Sequence, residues 1–316
     1  MRKIIGLAST FIGALIGAGF ASGREIALYF ANTSIIAPLV SGLLFGVFCY
    51  LFLELGRIHN NNFPIIFGKF ENVFIFFIKL FNFIYICAML AGSEIIIKNI
   101  FGINGGCIIT GILGIITIVL GTEKLKDINT IVVIGIFILI IILFTHCHNS
   151  FVFIKIGLLP AFTYAGMNVL TSGYFISKIC GNPTKKQNIC CGIIVGGVLS
   201  FILCITYLII SNNFDAVMPL IETASIYNLA LVGNIIMYLA IYTTVISSLA
   251  VVSDQKLPNA ILVICFANII SIFSFENIVN SIYPIIGIIS SLIIIIIVFL
   301  NAKPKYFVKL KQSYKL

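Results

Sequence analysis

Residues 11–30 read "FIGALIGAGFASGREIALYF". The first half is apolar enough for the middle of a membrane-spanning helix, yet it carries Gly13, Gly17, Gly19 and Gly23 and then an adjacent Arg24 and Glu25 before apolar sequence resumes. Glycine weakens a helix interior by about 1 kcal/mol relative to alanine, and charged side chains inside a membrane are costly and mark function by default.

The surrounding chain has 316 residues, 60% hydrophobic and 9% charged, where soluble domains carry roughly a quarter charged residues. A hydrocarbon core needs about 20 apolar residues per helix. With Gly, Pro, Asn and charge clusters marking the ends, ten spans are predicted at 4–31, 35–56, 72–99, 103–120, 128–146, 151–178, 189–211, 228–252, 258–273 and 278–300. The runs lack period-2 alternation and exceed the roughly 10 residues of a barrel strand. An α-helical bundle is the remaining way to satisfy the backbone in lipid. The chain therefore reads as an all-α integral membrane protein with a single membrane domain over 1–316.

The formal charge of +9 raises a nucleic-acid partner. With the amino terminus in the cytoplasm, every basic residue except Arg24, Lys79, Lys98 and Lys155 falls on the cytoplasmic side. The positive-inside rule then places both termini there, which needs an even number of spans. The basic tail at 301–316, "NAKPKYFVKLKQSYKL", reads as an anchor to lipid headgroups rather than a nucleic-acid contact. Residues 2–20 have the shape of a signal peptide, but the apolar run continues through Phe30 and the charge count favours retention. Nine cysteines occur without CxxC units or matching His, so neither a disulfide framework nor a zinc site is indicated.

Ten spans divide into two sets of five, a first repeat at 1–146 and a second at 147–300. Five is odd, so the second set enters the membrane inverted, as in many secondary transporters. Span 6, the counterpart of span 1, contains "GLLPAFTYAGMNVLTSG" (157–173), with Pro160 and Gly166 amid Thr163, Tyr164 and Asn168. The glycines of span 1 serve close helix packing on one reading. On the other, interruptions at corresponding places in two halves mark a transporter binding site, with helices 1 and 6 both discontinuous. Unwinding at 17–22 would leave free N–H groups near Ser22 and Gly23 and bare carbonyls before them. Such ends suit a zwitterionic amino acid. The spacing GxGxxxG is not the dinucleotide fingerprint. The outer connection at 211–230 is expected to form a short helix over the outer face, a possible lid.

At this point "GALIGAGFASGREI" resembles the first-span signature of the amino acid-polyamine-organocation superfamily, with its LeuT-type five-plus-five fold, and within it the YkvI-like family of bacterial membrane proteins. The resemblance implies a location in the bacterial cytoplasmic membrane. It also implies that Gly17, Ala18, Gly19, Ser22 and Gly23 face substrate, with Phe162, Thr163, Tyr164 and Gly166 of "AFTYAG" opposite and Tyr85 as a substrate-facing aromatic. In "LAIYTTVISSLA" (239–250), Ala240, Thr243 and Thr244 resemble the span-8 pattern of sodium-coupled carriers, and Gly13 and Ile16 would add carbonyls. The competing reading is that these hydroxyls bond back to their own helix. Span 5, "INTIVVIGIFILIIILFTHCH", lacks the lysine that replaces the ion in some relatives, which favours sodium over that form of proton coupling.

A carboxylate is favoured in the first turn of the second half-helix and an arginine is not. Glu25 is expected to act in gating or coupling rather than as a direct ligand, and Arg24 to face the outer vestibule or pair with Glu94. No GxSxG, HExxH or paired aspartates occur in the spans, so no enzyme is expected. The sequence reads as a secondary active transporter of a small amine-containing solute, foremost an amino acid, working by alternating access with sodium, or less favoured a proton, as coupling ion. A non-transporting nutrient sensor on the same fold is the alternative. The expected partners are a small-molecule substrate and lipids, with no nucleic acid and no resident cofactor beyond sodium. The oligomeric state is left open.

Overall fold

A computed structural model describes residues 2–121, 125–146, 157–181 and 183–302. Among them every regular element is helical. Span 1 consists of three helical pieces, α1 (Arg2–Leu15), α2 (Ala18–Ser22) and α3 (Arg24–Phe30). Then follow α4 (Ile36–Ile58), a 3-10 stretch (Phe63–Phe70), α5 (Glu71–Phe101), α6 (Gly106–Leu120), α7 (Leu125–His146), α8 (Leu158–Ile179), α9 (Lys185–Ile210), α10 (Pro219–Ile226), α11 (Ala230–Ser253), α12 (Leu257–Ser271) and α13 (Phe275–Ala302). The short helix expected within 211–230 is α10. Five helices among the described residues are long and apolar enough to cross a membrane, while α1, α6, α7 and α12 contribute shorter apolar segments.

The chain departs from a helix at two points in span 1. Gly17 is extended, with φ −100° and ψ −167°. Gly23 is left-handed, with φ 75°, a region open to glycine at little cost. The interruption expected over 17–22 is thus two breaks with one turn of helix between them.

Span 6 differs from expectation. Leu158–Ile179 is an unbroken helix, so Pro160 and Gly166 do not interrupt it. Pro160 lies in the first turn, where a missing N–H costs the helix nothing. The chain departs from helical geometry just before, at Gly157 with φ 62°. Residues 147–156, the start of the predicted span 6, lie outside the described residues.

The bundle is built on two close pairings, α4 on α9 and α5 on α11, with α8 packed against both α4 and α13. Small residues let the first pair touch backbone to backbone: a Cβ on Gly192 would lie 2.7 Å from the Gly46 carbonyl oxygen. Without a hydrophobic drive between helices in lipid, such close packing is what holds them together. The lipid-side signature is a stripe of exposed apolar residues at helical spacing, as Ile108, Ile112 and Ile116 on α6.

Candidate functional site

The breaks in span 1 put α2 and the start of α3 into the interior. Glu25 is 5% exposed, and its carboxylate lies against Gly19 so closely that a Cβ there would collide with it. Asn168 of α8 lies near this carboxylate, its side-chain N–H donating to the Tyr164 carbonyl at 3.3 Å. Tyr29, Tyr85, Tyr164 and Tyr283, from α3, α5, α8 and α13, are near enough to feel its charge.

These rings form two contacting pairs joined by one hydrogen bond. Tyr29 and Tyr164 have centroids 5.4 Å apart, and Tyr85 meets Tyr283 edge-on at 5.5 Å. Tyr29 donates its hydroxyl to the Tyr283 carbonyl at 2.9 Å, a reach made possible by Gly287, where a Cβ would fall 2.6 Å from that hydroxyl. Tyr85 donates to the Met167 carbonyl at 3.2 Å. The Tyr283 hydroxyl is buried without a partner.

Beside this cluster, Thr244 of α11 touches the first break. Its hydroxyl accepts from the Ala18 N–H at 3.3 Å and donates to the Ala240 carbonyl at 2.8 Å. Thr243 donates to the same carbonyl at 3.1 Å. A Cβ on Gly17 would meet the Thr244 hydroxyl at 3.1 Å. Ile16 is buried next to the break and continues the α1 ladder through its N–H to the Ile12 carbonyl. Gly13 lies one turn earlier in α1.

On the other side of Glu25 the chain is clamped. Arg24, 8% exposed, forms an ion pair with Glu276 at 3.0 Å and donates to the Asn280 side-chain oxygen at 2.9 Å and the Ala216 carbonyl at 2.9 Å, with Phe214 at 3.3 Å. This joins α3 to α13 and to the loop ahead of α10. The α10 helix docks on the second break: a Cβ on Gly23 would meet the Leu220 backbone nitrogen at 3.1 Å.

Several sequence expectations are therefore corrected. Arg24 pairs with Glu276 rather than Glu94, which instead accepts from the Gly105 and Cys107 N–H groups at the start of α6. The Gly23 N–H is not free but donates to the Phe20 carbonyl at 3.0 Å, because the turn ahead of it is wound. Ser22 spends its hydroxyl locally, donating to the Gly19 carbonyl and accepting from the Arg24 N–H.

Of the span-6 residues, only Tyr164 joins the cluster. Phe162 packs edge-on against Phe48 of α4 at 5.9 Å. Thr163 bonds back to the Leu159 carbonyl at 3.0 Å. Gly166 is where α13 crosses α8, since a Cβ there would run into Ser291. Tyr85 of α5 belongs to the cluster through its contact with Tyr283. Tyr29, Asn168 and Tyr283 were missed as site residues. Tyr29 follows Glu25 by four positions and so shares its helix face, a signal present in the sequence.

No family model matches this chain. It is 24% identical over 324 aligned residues to the uncharacterized membrane protein YkvI of Bacillus subtilis (strain 168), covering 90% of this chain and 92% of that protein. Among solved structures it is similar to Mhp1, a nucleobase-cation-symport-1 family transporter in a closed conformation with bromovinylhydantoin bound. The TM-score is 0.53 at 13% identity, over 94% of this chain and 73% of the other. The chain is thus an all-helical membrane protein sharing the overall fold of Mhp1.

Proposed function

We propose that this protein is a secondary active transporter of a small amine-containing solute, foremost an amino acid, working by alternating access from a LeuT-type five-plus-five arrangement in the bacterial cytoplasmic membrane. The observation that carries this reading is the twice-broken span 1, which sets the buried Glu25 carboxylate against the Gly19 backbone in the bundle interior. Helix ends inside a bundle are how transporters of this architecture hold small charged solutes. The Arg24 clamp and α10 close the outer side of the site. Such a closure, alternating with one on the inner face, is what separates transport from a channel.

The proposed coupling ion is sodium, held by the Thr243 and Thr244 hydroxyls of α11 with the Ala240, Gly13 and Ile16 carbonyls. Its support is the Thr244 hydroxyl, a hard oxygen beside the first break in contact with Gly17 and the Ala18 N–H, while both threonine hydroxyls bond back to the Ala240 carbonyl, as the competing reading expects. Sodium would tether α11 to α1 and stabilise the solute-binding arrangement. Reciprocity then requires sodium and solute to tighten each other by the same factor, typically about 5- to 150-fold. Replacing both hydroxyls, as Thr243→Ala with Thr244→Ala, is expected to erase this coupling while weak solute binding survives. Solute affinity against sodium at constant ionic strength, with choline as replacement, measures it. A wild-type protein indifferent to sodium sinks this part of the reading.

Orientation has its own test. A cysteine at Asn213, ahead of α10, is expected to react with an impermeant thiol reagent in intact cells, and one at Gln255, between α11 and α12, only after permeabilisation. Asn182, another probe for the inner face, lies outside the described residues. Reversed labelling would invert the positive-inside assignment and the repeat argument with it.

A further inference from the structure

Glu25 is a buried carboxylate without a cation. Its neighbour in sequence, Arg24, turns away to Glu276, Asn280 and the carbonyls of Phe214 and Ala216. None of the ion pairs among the described residues includes Glu25. The titratable groups near enough to interact with it are all neutral acids: Tyr29 on its own helix, Tyr85 from α5, Tyr164 from α8 and Tyr283 from α13, with the Cys87 thiol near Tyr283. The helix α2, against which the carboxylate lies, has no titratable side chain. The other elements packed on α3 turn their polar groups elsewhere. Tyr207 of α9 donates to the Thr33 carbonyl, Glu54 and Arg57 of α4 pair with each other, and Glu222 of α10 is exposed.

An ionised carboxylate in such surroundings is tolerated only if it is neutralised. Two neutralisers fit the place: a proton on the carboxylate itself, or a cation brought in by the solute. The surrounding groups favour an organic ammonium as that cation. Tyrosine faces attract ammonium ions, and a cage of them is a recognised way to hold one. The buried Tyr283 hydroxyl, without a partner, adds an oxygen that an N–H can use.

We propose that Glu25, inside its tyrosine cage, binds the ammonium group of the solute, and that in the absence of solute the same carboxylate carries a proton. This rests on the transporter reading above and deepens it by naming where the amine binds and what it displaces. The exchange balances: Glu25–COOH plus R–NH3+ gives Glu25–COO− paired with R–NH3+, and one proton leaves to bulk water. Because one carboxylate cannot hold both, amine moving one way through the protein is coupled to a proton moving the other. The sodium proposed at Thr243 and Thr244 is a separate ion at a separate break.

The test uses the full-length protein in detergent, with methylammonium as probe. In weakly buffered solution at neutral pH, saturating methylammonium is expected to release close to one proton per bound amine. Glu25→Gln, which keeps the shape, is expected to lose that release and to weaken methylammonium binding roughly 100-fold. Infrared difference spectra, wild type minus Glu25→Gln, are expected to show the carbonyl stretch of a protonated carboxylic acid that disappears on adding methylammonium. Tyr283→Phe, which removes only the unpartnered hydroxyl, is expected to weaken binding while leaving the infrared band in place. An ionised carboxylate in the wild-type spectrum without probe overturns the proton assignment. Absence of methylammonium binding overturns the amine assignment. Alanine uptake into proteoliposomes without proton movement would overturn both and leave transport standing, whereas proton release without uptake of alanine or methylammonium would keep the site and overturn transport.

Discussion

Gly19→Ala is expected to reduce solute binding at least about 100-fold while the protein stays folded. The new methyl would enter the space held by the Glu25 carboxylate, and a flexible carboxylate end, not backbone, is what must give way. The cost is therefore borne by the position of the charged group rather than by the bundle. Mispositioning a buried charge forfeits most of an interaction of about 3–5 kcal/mol, which is a factor of roughly 100 or more. Gly17→Ala is a graded comparison, because its methyl meets only the Thr244 hydroxyl at 3.1 Å. Gly197→Ala on α9 is the control, with open space around its Cβ. Affinity by calorimetry, alongside thermal unfolding in detergent, separates the three. Equal binding by Gly19→Ala and Gly197→Ala would return the span-1 glycines to helix packing.

Arg24→Ala is expected to open the α10 side of the site. The guanidinium makes an ion pair and hydrogen bonds to Asn280, Ala216 and Phe214, tying α3 to α13 and to the loop before α10. Hydrogen bonds to a charged group are worth about 1.5–3 kcal/mol each, discounted because Glu276 is 39% exposed and screened by water. A net loss of about 3 kcal/mol shifts the closed-to-open ratio by roughly 100-fold. In a background with the exposed Cys190 and Cys265 replaced, a cysteine introduced as Asn168→Cys is expected to react with an impermeant reagent roughly 100-fold faster once Arg24 is removed. Unchanged labelling would mean that the closure is held elsewhere.

The all-helical membrane character was legible because lipid permits little besides apolar helices, and α10 was legible because amphipathic periodicity survives in a short segment. The broken span 1 was legible for the same reason it is broken: glycine at Gly17 and Gly23 has a local conformational cause. Span 6 misled because proline and glycine carry more than one meaning. Pro160 proved to be a helix start and Gly166 a helix crossing, and only the partner element, α13, decides the second. The cage shows the same limit. Tyr29 could be placed from its four-residue spacing to Glu25, but Tyr283 enters from a helix more than 250 positions away. The partner of Arg24 was misjudged likewise, since Glu94 and Glu276 are equivalent in sequence and only packing chose between them.

Arg24 and Glu25 are consecutive residues of one helix, so their side chains leave its axis about 100° apart. One reaches outward to α13 and the other inward to Gly19. A short helix turns as a rigid rod, which makes α3 a rocker with the guanidinium on one arm and the carboxyl group on the other. Rotation that frees Arg24 from Glu276 must also lift the carboxylate off Gly19, and an incoming cation that pulls on the carboxylate must load the arginine's contacts. Neither arm can report to the rest of the bundle without moving the other, and the linkage requires no relay longer than a single peptide bond.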